Sequence, residues 1–252
     1  MIAVGVAGHA TNGYAMRFGD KQREFIANFD DYFAKNKLLE KWRSECNFYD
    51  LASYYGVEAI ASECYEKSPD KVKTVFLWGD SHANQLYPGL KDNLPDDWQI
   101  LQGTSSGCAP WIVRADSDVN FCQRANWFAL EQICKTRPNV VVLAQSIGHN
   151  LNLMKEIKNE LNQYGVTKLI FIGPTPHWAY ALPVLVALKL MQDHPRRTSV
   201  GLDKEYLETD RRLKQAFKGM HGASHVSLMD FLCDDLGCTV YFGDDLEAGI
   251  TS

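Results

Sequence analysis

Five short apolar runs, separated by stretches of helical spacing, constrain this chain more than any other feature. They lie at residues 72–78 (VKTVFLW), 98–103 (WQILQG), 140–144 (VVVLA), 168–173 (KLIFIG) and 225–231 (HVSLMDF), the second being the weakest. Runs that are apolar at nearly every position, rather than at alternate ones, suit strands buried on both faces. Between them, helical patterns cover 83–94, 121–136, 151–164 and 203–217. In 151–164 the apolar residues are Leu151, Met154, Ile157, Leu161 and Tyr164, and Asn139 and Gly165 mark turns. Strand–helix alternation of this kind predicts α/β architecture: a three-layer α/β/α sandwich around a parallel sheet, with the functional loops at the carboxyl ends of the strands.

Composition removes other classes. A chain of 252 residues that is 46% hydrophobic and 12% aromatic can bury a large core, which excludes disorder and fibrous repeats. A net charge of −5 lacks the basic footprint of a nucleic-acid binder. Mean hydropathy is −0.26, and no apolar stretch reaches the roughly 20 residues that span a bilayer. Residues 1–16 carry no charged side chain, which reads either as a tail or as the end of a membrane segment. Residues 17–70 are charged, aromatic and mostly helical in pattern, and read as an extension or linker. Residues 71–252 form the α/β domain.

Seven cysteines lie at 46, 64, 108, 122, 134, 233 and 238, with no C-x-x-C among them. Three local pairings in turn-rich segments suit disulfides of an oxidising compartment: Cys46 with Cys64, Cys108 with Cys122, and Cys233 with Cys238. Cys134 is left over in a helical pattern. The alternative is reduced, buried thiols. His221, His225, Cys233 and Cys238 offer a rival set of zinc ligands, but His225 opens a strand-like run, which takes the two histidines off one helical face. No metal site is expected.

Chemistry concentrates at Gly79-Asp80-Ser81-His82, directly after the first strong strand and before a helix. A serine at such a turn presents its hydroxyl at the sheet's carboxyl edge, beside backbone N–H groups able to hold an oxyanion. Asp and Ser are also common helix caps, so the motif alone admits a purely structural role.

In this setting the chain resembles the SGNH (GDSL-like) hydrolases. It resembles more closely the SGNH domains fused to membrane acyltransferase-3 proteins that O-acylate surface polysaccharides. The resemblance is carried by FLWGDSHANQLYPGL at 76–90, GTSSGCAPW at 103–111, Cys122, VVVLA at 140–144, FIGPTP at 171–176, and Cys233 with Cys238. It implies an SGNH hydrolase-like, flavodoxin-like fold and makes Ser81 the nucleophile that carries an acyl group. The N–H groups of Ser81 and Gly107 become oxyanion donors next to Asp80. Gln145 or Asn150 supplies a further amide, although Asn150 also reads as a helix cap. His82 and His177 become rim residues.

The family's base is a histidine three residues after an aspartate, beyond the last strand. Here no histidine follows His225, so the resemblance implies that this element lies outside the sequence given and that the chain is inactive alone. His149, His177 and His225 are the in-chain alternatives. The resemblance further implies an acetyl group drawn from acetyl-CoA by a membrane acyltransferase domain, with no cofactor held by this domain itself. A cell-envelope glycan would be the acceptor, at the periplasmic face of the bacterial inner membrane. A carbohydrate acetyl esterase and a non-catalytic glycan-binding domain are the rival functions. Trp78, Trp111, Trp127 and Trp178 are aromatic candidates for sugar contact in either.

Overall fold

The computed structural model describes residues 18–35, 41–50, 55–113 and 120–244. The expected N-terminal stub and the final residues 245–252 lie outside them. The chain forms two compact units. The larger takes residues 38–176 and 204–231, and the smaller takes 1–37, 177–203 and 232–252.

The larger unit holds five parallel strands: β1 (Lys73–Gly79), β2 (Trp98–Thr104), β3 (Val140–Ala144), β4 (Leu169–Ile172) and β5 (Ala223–Val226), in the order β2-β1-β3-β4-β5. Its helices are α1 (Ser81–Asn84), α2 (Tyr87–Asn93), α3 (Phe121–Thr136), α4 (Leu151–Gln163) and α5 (Lys204–Phe217). Alternation along each strand feeds two cores. Phe76, Trp78, Leu101, Val141, Leu143 and Phe171 pack against Ile133, Ile157, Leu161, Leu213 and Phe217 of α3, α4 and α5. Val75, Leu77, Ile100, Val140 and Val142 face the other way, against Leu86, Tyr87 and Leu90. The expected three-layer α/β/α sandwich is therefore the fold. Its strand order is doubly wound and reverses direction between β1 and β3, which places the crevice for a ligand outside their carboxyl ends.

Two elements depart from the sequence reading. The helix expected over 83–94 is split into α1 and α2, because Pro88 stands in the first turn of α2 and has no N–H to continue a helix from α1. The strand expected over 225–231 stops at Val226, and Leu228–Leu232 is helical. Ser227 causes the change: its hydroxyl accepts from Asp230 N at 3.0 Å, a capping bond that starts a helix where the apolar run alone reads as a strand.

Before β1 the chain is largely irregular. Short 3₁₀ turns at Ser44–Cys46 and Ser62–Cys64 are joined by the Cys46–Cys64 disulfide. Around that bond Phe48 and Ile60 pack with Ala125 of α3. The helical pattern read over 17–70 is realised, among the described residues, chiefly in Asp20–Lys35.

That helix belongs to the smaller unit. There Phe25 packs with Leu182, Leu185, Val186, Val240 and Tyr241, and Arg197–Thr198, Gly237–Thr239 and Cys233–Asp234 form an antiparallel sheet. Cys233 and Cys238 are bonded to each other, so they are not open to zinc. Among the described residues no helix is long and apolar enough to cross a membrane.

Candidate active site

The turn that carries Ser81 is fixed by the backbone on either side of it. Gly79 ends β1 while paired with Thr104 on one side and Ala144 on the other. Its φ is +152°, and a Cβ there would lie 1.9 Å from Ala144 O. Only glycine lets β1 turn this close to β3.

Asp80 follows as the N-cap of α1, almost fully buried. Its Oδ1 accepts from His82 N at 2.8 Å. Its Oδ2 accepts from Ser146 N at 2.7 Å and from Ser146 Oγ at 2.8 Å. The carboxylate thus caps the helix behind Ser81 and ties the turn to the loop after β3. Both oxygens accept, so an amide can satisfy only one side. Asp80→Asn is therefore expected to cost about 2–3 kcal/mol, in line with losing charge-assisted bonds and leaving a donor unpaired. Urea denaturation measures it, and an unchanged midpoint would show that the carboxylate does not hold these loops.

Ser81 stands at the first position of α1, half-buried. Among the described residues its hydroxyl makes no hydrogen bond and its N–H has no protein acceptor. On the β2 side the Gly79 carbonyl accepts from Ser105 N at 3.0 Å, placing the 105–107 loop next to the turn. Ser106 N donates to Tyr49 O and Cys108 N to Ser105 O, which leaves the Gly107 N–H between them without an acceptor among the described residues. Gly107 has φ +75° with nothing near its would-be Cβ, so glycine is required there by backbone conformation rather than by space. Unengaged N–H groups at Ser81 and, in the adjoining loop, at Gly107 are the kind of donors that can stabilise an oxyanion.

Two side chains hold that loop, and a third holds the Ser81 turn, without being evident in the sequence reading. Asn126 of α3 accepts through Oδ1 from Trp78 Nε1 at 2.7 Å and from Trp111 N at 3.3 Å. It donates through Nδ2 to Ala109 O and Cys122 O. Asn47 donates to Ser106 Oγ at 3.1 Å, and Ser146 braces Asp80. The Cys108–Cys122 disulfide closes the same loop on α3, a cross-link over 14 residues of the size that contributes about 3 kcal/mol. Nothing local in the sequence marks Asn126 out, since its burial shows only in the structure.

After β3, Gln145 Nε2 donates to Ile147 O at 2.9 Å. Asn150 is the N-cap of α4, accepting from Asn152 N at 2.8 Å and Leu153 N at 3.3 Å. Both also line a hollow together with Gly107, so the capping role and a place in the site coincide in Asn150. His177 belongs to the smaller unit, where its carbonyl accepts from Asp203 N.

The histidines do not complete a base. No histidine bonds Ser81 among the described residues. Burial pushes the His82 imidazole below its ordinary value, against the pull of Asp80. The side chain of His225 is 1% exposed and lies 3.5 Å from Asp210 Oδ1, whose other oxygen accepts from Ser227. Burial also lowers its affinity for a proton; Asp210 and Asp230 oppose this, and Lys214 adds to it. The folded state therefore binds these protons less tightly than the unfolded chain. The associated stability is complete above the unfolded value of 6.5 and declines as pH falls below it, by up to about 1.4 kcal/mol per pH unit for each histidine. His225→Gln is expected to remove one such share. Denaturation midpoints compared above and below pH 6.5 test this, and a midpoint insensitive to pH would contradict it.

A doubly wound sheet with a serine turn set between the β2 and β3 loops defines an SGNH-type α/β domain. The chain belongs to the family described as the SGNH domain fused to AT3 domains, whose model matches residues 41–248. Among solved structures it is similar to the periplasmic domain of the lipopolysaccharide acetyltransferase of Salmonella ser. Paratyphi A. That similarity has a TM-score of 0.69, 24% identity and 85% coverage of each chain, and it supports the fold. No curated protein matches.

Proposed function

We propose that this domain carries an acyl group, acetyl by preference, on Ser81 and delivers it to a hydroxyl of a cell-envelope polysaccharide. The observation that carries the reading is a Ser81 hydroxyl and N–H that are unengaged among the described residues, at a turn whose adjoining loop holds a second unengaged N–H at Gly107. The Ser81 oxygen attacks the acyl carbonyl as a general base takes its proton, the two N–H groups hold the developing oxyanion, and the leaving group departs with that proton as the acyl-serine forms. A sugar hydroxyl then repeats the attack and frees the serine.

Membership of a family fused to AT3 domains supports a membrane acyltransferase in the same protein, drawing acetyl from acetyl-CoA. The three disulfides suit an exported domain on the periplasmic side. Removal of acetyl groups by water instead of transfer is the nearest rival, and only the identity of the second nucleophile separates the two.

A serine needs a base, and none of the described histidines bonds Ser81. Residues 1–252 are therefore expected to turn over p-nitrophenyl acetate at close to the buffer rate. In cells producing the whole protein that carries this domain, a single acetyl group should appear on the Ser81 peptide by mass spectrometry. Labelling confined to lysines, or equal labelling of Ser81→Ala, would overturn the proposal.

A further inference from the structure

Between the loops after β2 and β3 the larger unit opens a hollow of about 310 Å³, at the lower end of the range for small-molecule sites and far larger than an acetyl group needs. It begins at Gly107 and Gln145, in the two loops that flank the turn, and runs along Trp111, Leu153 and Met154. Its walls are mostly apolar, and none of its lining side chains carries a charge. A phosphorylated or carboxylated ligand would lose its hydration there without a counter-charge. A neutral one would not.

The polar groups are two amides, each oriented by its own intramolecular bond. Gln145 uses Nε2 on Ile147 O, which leaves Oε1 as an acceptor. Asn150 uses Oδ1 on the first N–H groups of α4, which leaves Nδ2 as a donor. A fixed acceptor and a fixed donor match hydroxyl groups, which both give and take hydrogen bonds. Trp111 is 37% exposed, and its flat, rigid indole suits the C–H face of a sugar ring.

We propose that this hollow is the acceptor subsite for a neutral pyranose residue, with Trp111 against the ring and Gln145 and Asn150 on its hydroxyls. The assignment rests on the acyl-transfer reading above. The probes are the methyl glycosides of glucose, galactose and mannose, with methyl glucuronide as the charged comparison. Each is titrated into the folded protein and followed by amide and indole NMR signals.

At least one neutral glycoside is expected to shift the signals of residues 107–111 and 148–153 and the Trp111 indole. Methyl glucuronide should bind at least tenfold more weakly. Trp111→Ala and Gln145→Leu should each weaken the neutral glycoside at least fivefold, and Trp111→Phe should retain most of the affinity. No response to any neutral glycoside, equal binding of the glucuronide, or binding that survives both substitutions would overturn the subsite. Acetylation of Ser81 without a glycoside response would remove the subsite and leave the acyl chemistry standing. Glycoside binding without Ser81 acetylation would uphold the subsite and remove the acyl chemistry.

Discussion

Ser81→Ala is expected to abolish acyl transfer while changing stability by less than about 1 kcal/mol. The chemical loss is large because no other group replaces the attacking oxygen; removing the nucleophile of a serine enzyme lowers turnover by about 10⁶-fold. The structural loss is small because the hydroxyl makes no hydrogen bond among the described residues and alanine is well suited to a helix. The helix cap is Asp80, not Ser81, so it survives the change. O-acetyl content of envelope polysaccharide, measured in cells producing the whole protein that carries this domain, reads the effect. Acetylation persisting in the variant would return the turn to a structural role.

Gly79→Ala, two residues earlier, is expected to do the opposite and strongly destabilise the fold. The new Cβ would lie 1.9 Å from Ala144 O and 3.0 Å from Ala83 Cβ, at a φ of +152°. The carbonyl cannot simply retreat, because Gly79 is held in register with Ala144 on one side and Thr104 on the other. Overpacking plus backbone strain together cost about 4 kcal/mol, a large share of the roughly 5–15 kcal/mol that holds a domain together. Circular dichroism melts would show a fall in midpoint of many degrees. A variant melting within a few degrees of the parent would mean that β1 and β3 can part at this point.

The contrast between these neighbours bears on what was legible in the sequence. The strand Val140–Ala144 and the helix Phe121–Thr136 fall at the expected residues, because their apolar spacing admits one burial pattern. The strand expected over 225–231 ended early, because a single hydroxyl at Ser227 redirected the backbone, and an apolar count does not register one capping bond. The candidate site divides the same way. Ser81 is conspicuous as a serine between a buried strand and a helix. Asn126 is not, because nothing local indicates that its amide joins Trp78, Trp111, Ala109 and Cys122.

By itself the sequence determined the layer architecture, the position of the Ser81 turn and the family of the chain, since each rests on periodicity or on residues adjacent along the chain. Only the tertiary structure decided that Asp80 binds Ser146, 66 residues away, and that the Gly107 N–H is left unengaged between two bonded neighbours. It alone placed Trp111, Gln145 and Asn150 around one uncharged hollow. The physical reason is range. Burial patterns and caps act over a few residues, whereas the direction of a carboxylate or an N–H group is set by whichever strand the sheet brings alongside it.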